Sequence, residues 1–276
     1  MTDPTRPESG SELVWARPAP ALRPLVDLYS GYRTPATAPG THMGVPGGHL
    51  TLLLCLDGEV DVLRTPDPDR SPGSYRVMVG GLHDRPAVIG TGPAQTGLQL
   101  RLTWLGARTL LGTPASALTG DVVGLGDLLG RRGEVLVERL AEVPTWPGRF
   151  ALLDAALARL AADARRPDPR PEVARAWHRL AATGGTLRIE QLAREVGWSR
   201  RHLALRFRDE VGLSPKSAAR VIRFERACDL LRGPTRPALA HTAAVCGYAD
   251  QAHLARDFRE LAGLTATEWL AERPDG

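Results

Sequence analysis

Four arginines in the second half of the chain are spaced to read or grip a polyanion. Arg201 and Arg208 belong to one amphipathic stretch, and Arg256 and Arg259 to another. On helices they would lie opposite the apolar positions Leu203, Phe207 and Val211 in the first stretch and Leu254, Phe258 and Ala262 in the second. A guanidinium presented in this way forks onto guanine O6 and N7 in a DNA major groove, or pairs with a phosphate. The same outward faces carry Leu205 and Ala252, and a leucine offers only apolar contact, for instance to a thymine methyl. Taken one at a time, each stretch is equally well an ordinary solvated helix face, because short helical patterns recur by chance.

The two stretches are copies of one pattern. Leu203 to Ser214 and Leu254 to Thr265 correspond residue by residue at a constant offset of 51. Each follows a short apolar segment closed by a glycine turn: Ile189, Leu192, Ala193 and Val196 before Gly197-Trp198-Ser199, then Leu239, Ala240, Ala243, Ala244 and Val245 before Gly247-Tyr248-Ala249-Asp250. Short helix, glycine turn and capped second helix make a helix-turn-helix, used here twice. Ser199 and Asp250 stand at the N-cap, where a side-chain oxygen accepts from an orphan backbone N–H. Gly212 and Gly263 supply the stops. The stretch from Pro215 to Leu231 reads as a connecting helix whose stripe Phe224, Ala227, Cys228 and Leu231 would hold the copies apart.

Residues 171–273 resemble the DNA-binding domain of the AraC/XylS family of bacterial transcription regulators. The resemblance rests on Ile189, Leu192-Ala193, Gly197, Ser199, Leu203, Phe207, Gly212, Ser214-Pro215, Arg223, Ala227 and Leu230-Leu231. It continues through Ala243, Gly247-Tyr248, Asp250, Leu254, Arg256, Phe258, Gly263 and Thr265. Two departures stand out: Leu205 occupies a place where the family commonly has arginine, with Arg206 displaced by one, and Ala266 replaces a usual proline. The contact set that the resemblance implies is Ser199, Arg200, Arg201, His202, Ala204, Leu205, Arg206 and Arg208 on the first reading helix. On the second it is Gln251, Ala252, His253, Ala255, Arg256 and Arg259. His202 and His253, three residues past their caps, are expected to touch DNA backbone or solvent.

The first half has a different texture. From Leu13 to Arg101, short β-type runs are broken by Pro and Gly. His49–Cys55 and Val60–Leu63, joined through Asp57-Gly58, read as a hairpin. Further runs lie at 75–79, 87–89 and 98–104, the last alternating Leu98, Leu100, Leu102 and Trp104 on one face. This spacing suggests a small barrel or sandwich. Helical patterns follow at 107–111, after Thr113-Pro114, and at 125–129, 135–140 and 149–162. Leu22-Arg23-Pro24, the segment near Leu52, residues 106–112 and 125–130 together resemble the sensor-like domain of some AraC/XylS-type regulators, which implies a cupin-like β-barrel followed by helices. His49, His83, Arg85, Arg101 and Trp104 are then candidates for an effector pocket at the barrel mouth, against the plainer reading of rim and core residues.

The fold expected is therefore α+β with two domains: a cupin-like barrel with flanking helices over 13–162, a Pro-rich linker over 163–171, and an all-α double helix-turn-helix over 172–273. Residues 1–12 read as a disordered lead. Of the 276 residues, 43 % are hydrophobic, enough for two cores. From Pro171 onward there are 17 Lys+Arg against 13 Asp+Glu, leaving 18 of each before it, so the formal excess of +4 lies with the repeats. Lys216 is the only lysine.

Other chemistry finds little support. Cys55, Cys228 and Cys246 lack metal spacing and suit a reducing compartment. The histidines form no metal-ligand motif and no serine sits in a nucleophile elbow. Gly124, Gly126 and Gly130 miss the dinucleotide fingerprint by one residue. No signal peptide or membrane span is evident, so a cytoplasmic protein is expected. The leading expectation is a non-enzymatic, sequence-specific transcription regulator without cofactor or metal, its partner double-stranded DNA. A small-molecule effector, a second copy of the chain and RNA polymerase are further candidate partners, and a membrane is not. The competing readings are a barrel enzyme or DNA-repair protein with a reactive cysteine, and an interaction protein that has lost DNA binding.

Overall fold

A computed structural model describes residues 10–164 and 168–271. The N-terminal region threads β1 (Glu12–Ala16), β2 (Val26–Thr34), β3 (Gly40–Gly44), β4 (Leu50–Asp57), β5 (Val60–Arg64), β6 (Gly73–Tyr75), β7 (Val77–Gly80), β8 (Ala87–Thr91), β9 (Gln95–Leu102) and, after an α-helix and a 3₁₀ turn, β10 (Val122–Gly124). They build a six-stranded sheet, ordered β1-β2-β9-β4-β7-β10, and a four-stranded sheet, ordered β3-β8-β5-β6. Period-2 alternation decides which face each residue serves. Leu98, Leu100 and Leu102 are wholly buried on one face with Tyr29, Leu52 and Leu54, while Leu53, Cys55, Val60, Val62, Met78 and Val122 form a separate cluster joining the two sheets.

The expected cupin-like barrel is overturned, because both sheets are open. Closure would need edge strands to share a ladder, yet β1 pairs with β2 and β10 with β7, while β3 pairs with β8 and β6 with β5, leaving one side of each unpaired among the described residues. The terminal strands are too short to wrap round: β1 has 5 residues and β10 has 3. Helices cover the apolar face instead. α1 (Trp104–Leu110) and α2 (Leu125–Leu129) lead into α3 (Arg131–Glu142) and α4 (Trp146–Asp163). On α4, Trp146, Phe150, Leu153 and Leu157 turn inward; Tyr29 stacks on Phe150 with ring centroids 6.0 Å apart and its hydroxyl donates to Asp154 at 2.9 Å. Trp146 sits over Gly31, where a Cβ would collide with the indole.

Two local expectations also change. β4 and β5 are not a hairpin: β4 pairs with β7 and β9, and β5 with β6 and β8. The Asp57-Gly58 turn, with Gly58 at φ +79°, passes the chain from one sheet to the other. Both strands thereby keep their apolar residues in the shared inter-sheet cluster. Trp104 does not end a strand but begins α1, because Thr103 accepts from the Gly106 N–H and caps the helix there.

The C-terminal domain is all helical: α5 (Pro171–Ala182), α6 (Ile189–Glu195), α7 (Arg200–Val211), α8 (Pro215–Arg232), α9 (Leu239–Val245), α10 (Gln251–Asp257), a π-helical turn Phe258–Ala262, and α11 (Ala266–Ala271). Of the expected linker, residues 165–167 lie outside the described residues; so do residues 1–9 of the expected lead, and Glu12 already opens β1. The hydrophobic clusters part elsewhere. One runs from Leu22 through the N-terminal region and the first helix-turn-helix to Val221, and another gathers Phe224 to Trp269, so the break falls inside α8.

Candidate nucleic-acid interface

Helices α7 and α10 are each set up by local interactions. After α6 and α9, Gly197 and Gly247 take φ of +76° and +75°, a left-handed conformation that glycine adopts without a Cβ clash. The Trp198 and Tyr248 N–H groups then donate back to Ala193 and Ala243 carbonyls, both at 2.9 Å, closing the Schellman arrangement. The Ser199 hydroxyl accepts from the His202 N–H at 3.2 Å, and Asp250 Oδ1 from the His253 N–H at 2.7 Å. His202 stands edge-on to Trp198 at 4.7 Å and His253 edge-on to Tyr248 at 5.1 Å. The two histidines thus brace the turns, a role that their spacing from the caps alone did not reveal.

The faces divide as the periodicity implies. Leu203, Phe207, Val211, Leu254, Phe258 and Ala262 are at most 1 % exposed. Ser199, Arg200, Arg201, His202, Leu205 and Arg208 are exposed on the first copy, with Ala204 and Arg206 half-buried. On the second, Gln251, Ala252, Arg256 and Arg259 are exposed, with His253 and Ala255 half-buried. Arg200 is tied to Glu190 at 2.8 Å and Arg206 to Asp209 at 3.6 Å. Among the described residues Arg201, Arg208, Arg256 and Arg259 are in no ion pair, so their guanidiniums stand available to an anion. Leu205, 54 % exposed, holds the place that Arg256 holds in the second copy.

The copies differ at the next position. Arg206 corresponds to Asp257, whose side chain is 4 % exposed and receives the Arg220 Nε of α8 at 2.7 Å; Arg220 also reaches Glu260. Arg223 of α8 lies 4.8 Å over the Tyr248 ring. The connecting helix therefore clamps both the second turn and the second reading helix. Between α8 and α10 an open cleft of about 630 Å³ brings Lys216 alongside Arg220 and Arg256. Lys216 and Arg220 were not picked out by sequence as site residues, since nothing local marks a residue on α8 as facing α10.

The N-terminal region touches this domain at several places. The Ser116 hydroxyl donates to the Asp209 carbonyl at 2.6 Å near the end of α7. Glu225 on α8 receives the Gly48 N–H at 2.8 Å and His49 Nδ1 at 2.9 Å, with Arg101 at 3.9 Å. Met43 and Pro86 lie against Gly263. Burial pushes the Glu225 carboxyl upward, but His49, the Gly48 N–H and Arg101 outweigh it and leave it below the usual range. Asp229, one turn on, is raised by burial and by Glu225.

With the barrel open, its mouth does not exist, and the five residues assigned to it part company. His49 and Arg101 converge on Glu225, and Trp104 is a core residue, 2 % exposed. His83 bonds through Nδ1 to the Arg85 carbonyl at 2.5 Å, and desolvation pulls its imidazole down to about 4. Cys55, Cys228 and Cys246 are buried thiols, and burial pushes Cys55 up to about 11, the reverse of an activated nucleophile. Among the described residues no group of three His, Cys, Asp or Glu is placed to hold a metal, and no helix is long and apolar enough to cross a membrane.

The helix-turn-helix domain family matches residues 192–272. The C-terminal domain accordingly contains a helix-turn-helix domain, with the helix-turn-helix arrangement present twice, at α6–α7 and α9–α10. Over the longer span the fold is similar to that of ToxT from Vibrio cholerae, at 11 % identity and a TM-score of 0.51, covering 88 % of this chain and 97 % of that one. An unsaturated fatty acid bound form of the same protein matches at 10 % identity and a TM-score of 0.52, over 90 % and 96 %. A Chromobacterium violaceum transcriptional regulator with an AraC-type DNA-binding domain is 25 % identical over 38 % of this chain and 95 % of its own, with a TM-score of 0.35. No curated relative matches.

Proposed function

We propose that this protein is a sequence-specific regulator of transcription that binds double-stranded DNA through α7 and α10, with the N-terminal region receiving the controlling signal. The observation that carries this reading is the pair of capped reading helices on one connecting helix, each presenting unpaired arginines outward. Helices held on the common support of α8 are suited to enter successive major grooves about 34 Å apart. A small-molecule effector belongs to this reading because the ToxT fold neighbour binds an unsaturated fatty acid. The reactive-cysteine reading is disfavoured by the buried, protonated thiols.

Within this reading Arg256 is the principal base reader, because it is exposed and unpaired at the centre of its face, whereas Leu205 can offer only apolar contact. Arg206 is no substitute, being half-buried and held by Asp209. Genome-wide mapping followed by footprinting should show two protected patches per protomer, and affinity should fall steeply with salt as counterions are released. Arg256→Ala should cost about 1–3 kcal/mol and relax preference at one base pair, while Arg201→Ala and Arg208→Ala weaken all sequences evenly. Selection of sites from a randomised library tests this. An unchanged consensus with Arg256→Ala, together with a changed one for Arg206→Ala, would overturn the assignment.

A further inference from the structure

A second cationic surface lies beside the second reading helix, and part of it comes from the N-terminal region. Arg64 at the end of β5 and Arg85 in the β7–β8 loop line an open cleft of about 610 Å³ together with Arg220 and Arg259. Arg64, Arg85 and Arg259 are exposed and in no ion pair among the described residues. Of the two acids on the cleft, Glu260 is taken by Arg220 and Asp84 remains, so cations outnumber acids by four to two. This concentration stands out in a sequence whose first 170 residues carry 18 charges of each sign.

The walls of the cleft are fixed relative to each other. Pro86, next to Arg85, packs on Gly263 just beyond the π-helical turn that carries Arg259, and Glu225 of α8 is held by His49 and the Gly48 N–H. Apart from its charged residues the cleft is lined by Thr65, Pro66, Pro68 and Pro86, which offer a small ligand few hydrogen bonds. Exposed guanidiniums on a rigid, open wall instead match a line of regularly repeated anions, which a DNA strand supplies at about one phosphate per 3.4 Å of axis.

We propose that Arg64 and Arg85 grip the phosphate backbone flanking the bases met by α10, so that the N-terminal region is itself part of the DNA interface. This rests on the DNA-binding reading above. The test uses the full chain on fragments selected by the wild type, comparing Arg64→Ala/Arg85→Ala with Arg256→Ala and with Arg64→Lys/Arg85→Lys across a salt series. Loss of two phosphate contacts should weaken binding roughly tenfold near 0.1 M salt and make the log–log salt slope shallower by about 1.8, with the consensus unchanged. Backbone protection should disappear on the α10 side of the footprint, and the lysine pair should restore the slope. The proposal is overturned if the alanine pair keeps wild-type affinity and slope, or loses affinity at an unchanged slope. It is also overturned if millimolar pyrophosphate binds the wild type at these two arginines without competing with DNA, which would make the cleft a small-anion site. If Arg256→Ala weakens binding while the alanine pair does not, only this extension fails; if the wild type binds no fragment, the DNA reading fails and takes it along.

Discussion

The two helix-turn-helix copies share turn, cap and outward face but are supported in different ways. In the first, Leu203, Phe207 and Val211 join a cluster that reaches back to Leu22, and Trp177 stacks on Phe207 at 6.1 Å. In the second, Phe258 packs against Phe224 at 5.0 Å and Trp269 at 5.6 Å in a cluster of its own. Helix α7 stays α-helical to Val211, whereas α10 passes into a π turn at Phe258, a wider winding that shifts the face presented beyond it. One pattern can thus be built into the body of the molecule or stand as a separate unit, depending on what its apolar face meets.

The largest effects should come from the two phenylalanines. Phe207→Ala and Phe258→Ala each remove a fully buried ring, at a cost of about 3–5 kcal/mol. Amide exchange should quicken only in α9 to α11 for Phe258→Ala, but in both the first helix-turn-helix and the sheet that carries β4 and β9 for Phe207→Ala. Equal spreading in both variants would show that the clusters are not separate.

Next comes the position at which the copies diverge. Arg220→Ala strands the buried Asp257 carboxylate and should cost about 3 kcal/mol. Arg206→Ala breaks only a half-exposed pair and should cost under about 1 kcal/mol. Urea midpoints of the two variants measure the contrast, and similar values would deny α8 its clamping role.

Glu225 lies just past the point in α8 where the clusters part, and its charge joins α8 to the N-terminal region. The groups facing it are His49, Arg101 and, along α8, Asp229. Its depressed carboxyl contributes stability that is complete above the ordinary carboxylate range and is lost as pH falls through the folded value. Glu225→Gln should therefore lower stability by about 1–3 kcal/mol at neutral pH, and its melting temperature should approach that of the wild type in acid. A gap that widens on acidification would reverse the sign and refute the linkage.

The smallest effect separates the caps. Ser199→Ala and Asp250→Ala should each cost about 1 kcal/mol, with Asp250 the larger because its bond is charge-assisted and shorter. Thermal melts of the two variants would settle the order.

The copies could be read from the chain because everything that defines them is close in sequence. A glycine at positive φ, a cap three residues from its donor and apolar positions at helical spacing leave local signatures, and Leu205 and Arg256 could be placed on outward faces by counting. The N-terminal strands at β4 and β9 were visible for the same reason. β1 to β3 were not, because their apolar residues are interrupted by Ser, Gly and Thr and do not alternate cleanly. Trp104 was misplaced in a strand because alternation runs on past Thr103, the residue that in fact caps α1.

Sequence by itself determined the helices α7 and α10, their caps and the excess positive charge of the C-terminal part, since these depend on residues a few positions apart. Tertiary structure alone decided that the sheets stay open, that Asp57-Gly58 joins two sheets rather than two paired strands, and that Gly48 and Glu225 meet across 177 positions. The reason is physical: alternation tells a strand which face to bury but not which strand to pair with, and a hydrogen bond between distant residues leaves no periodicity to be read.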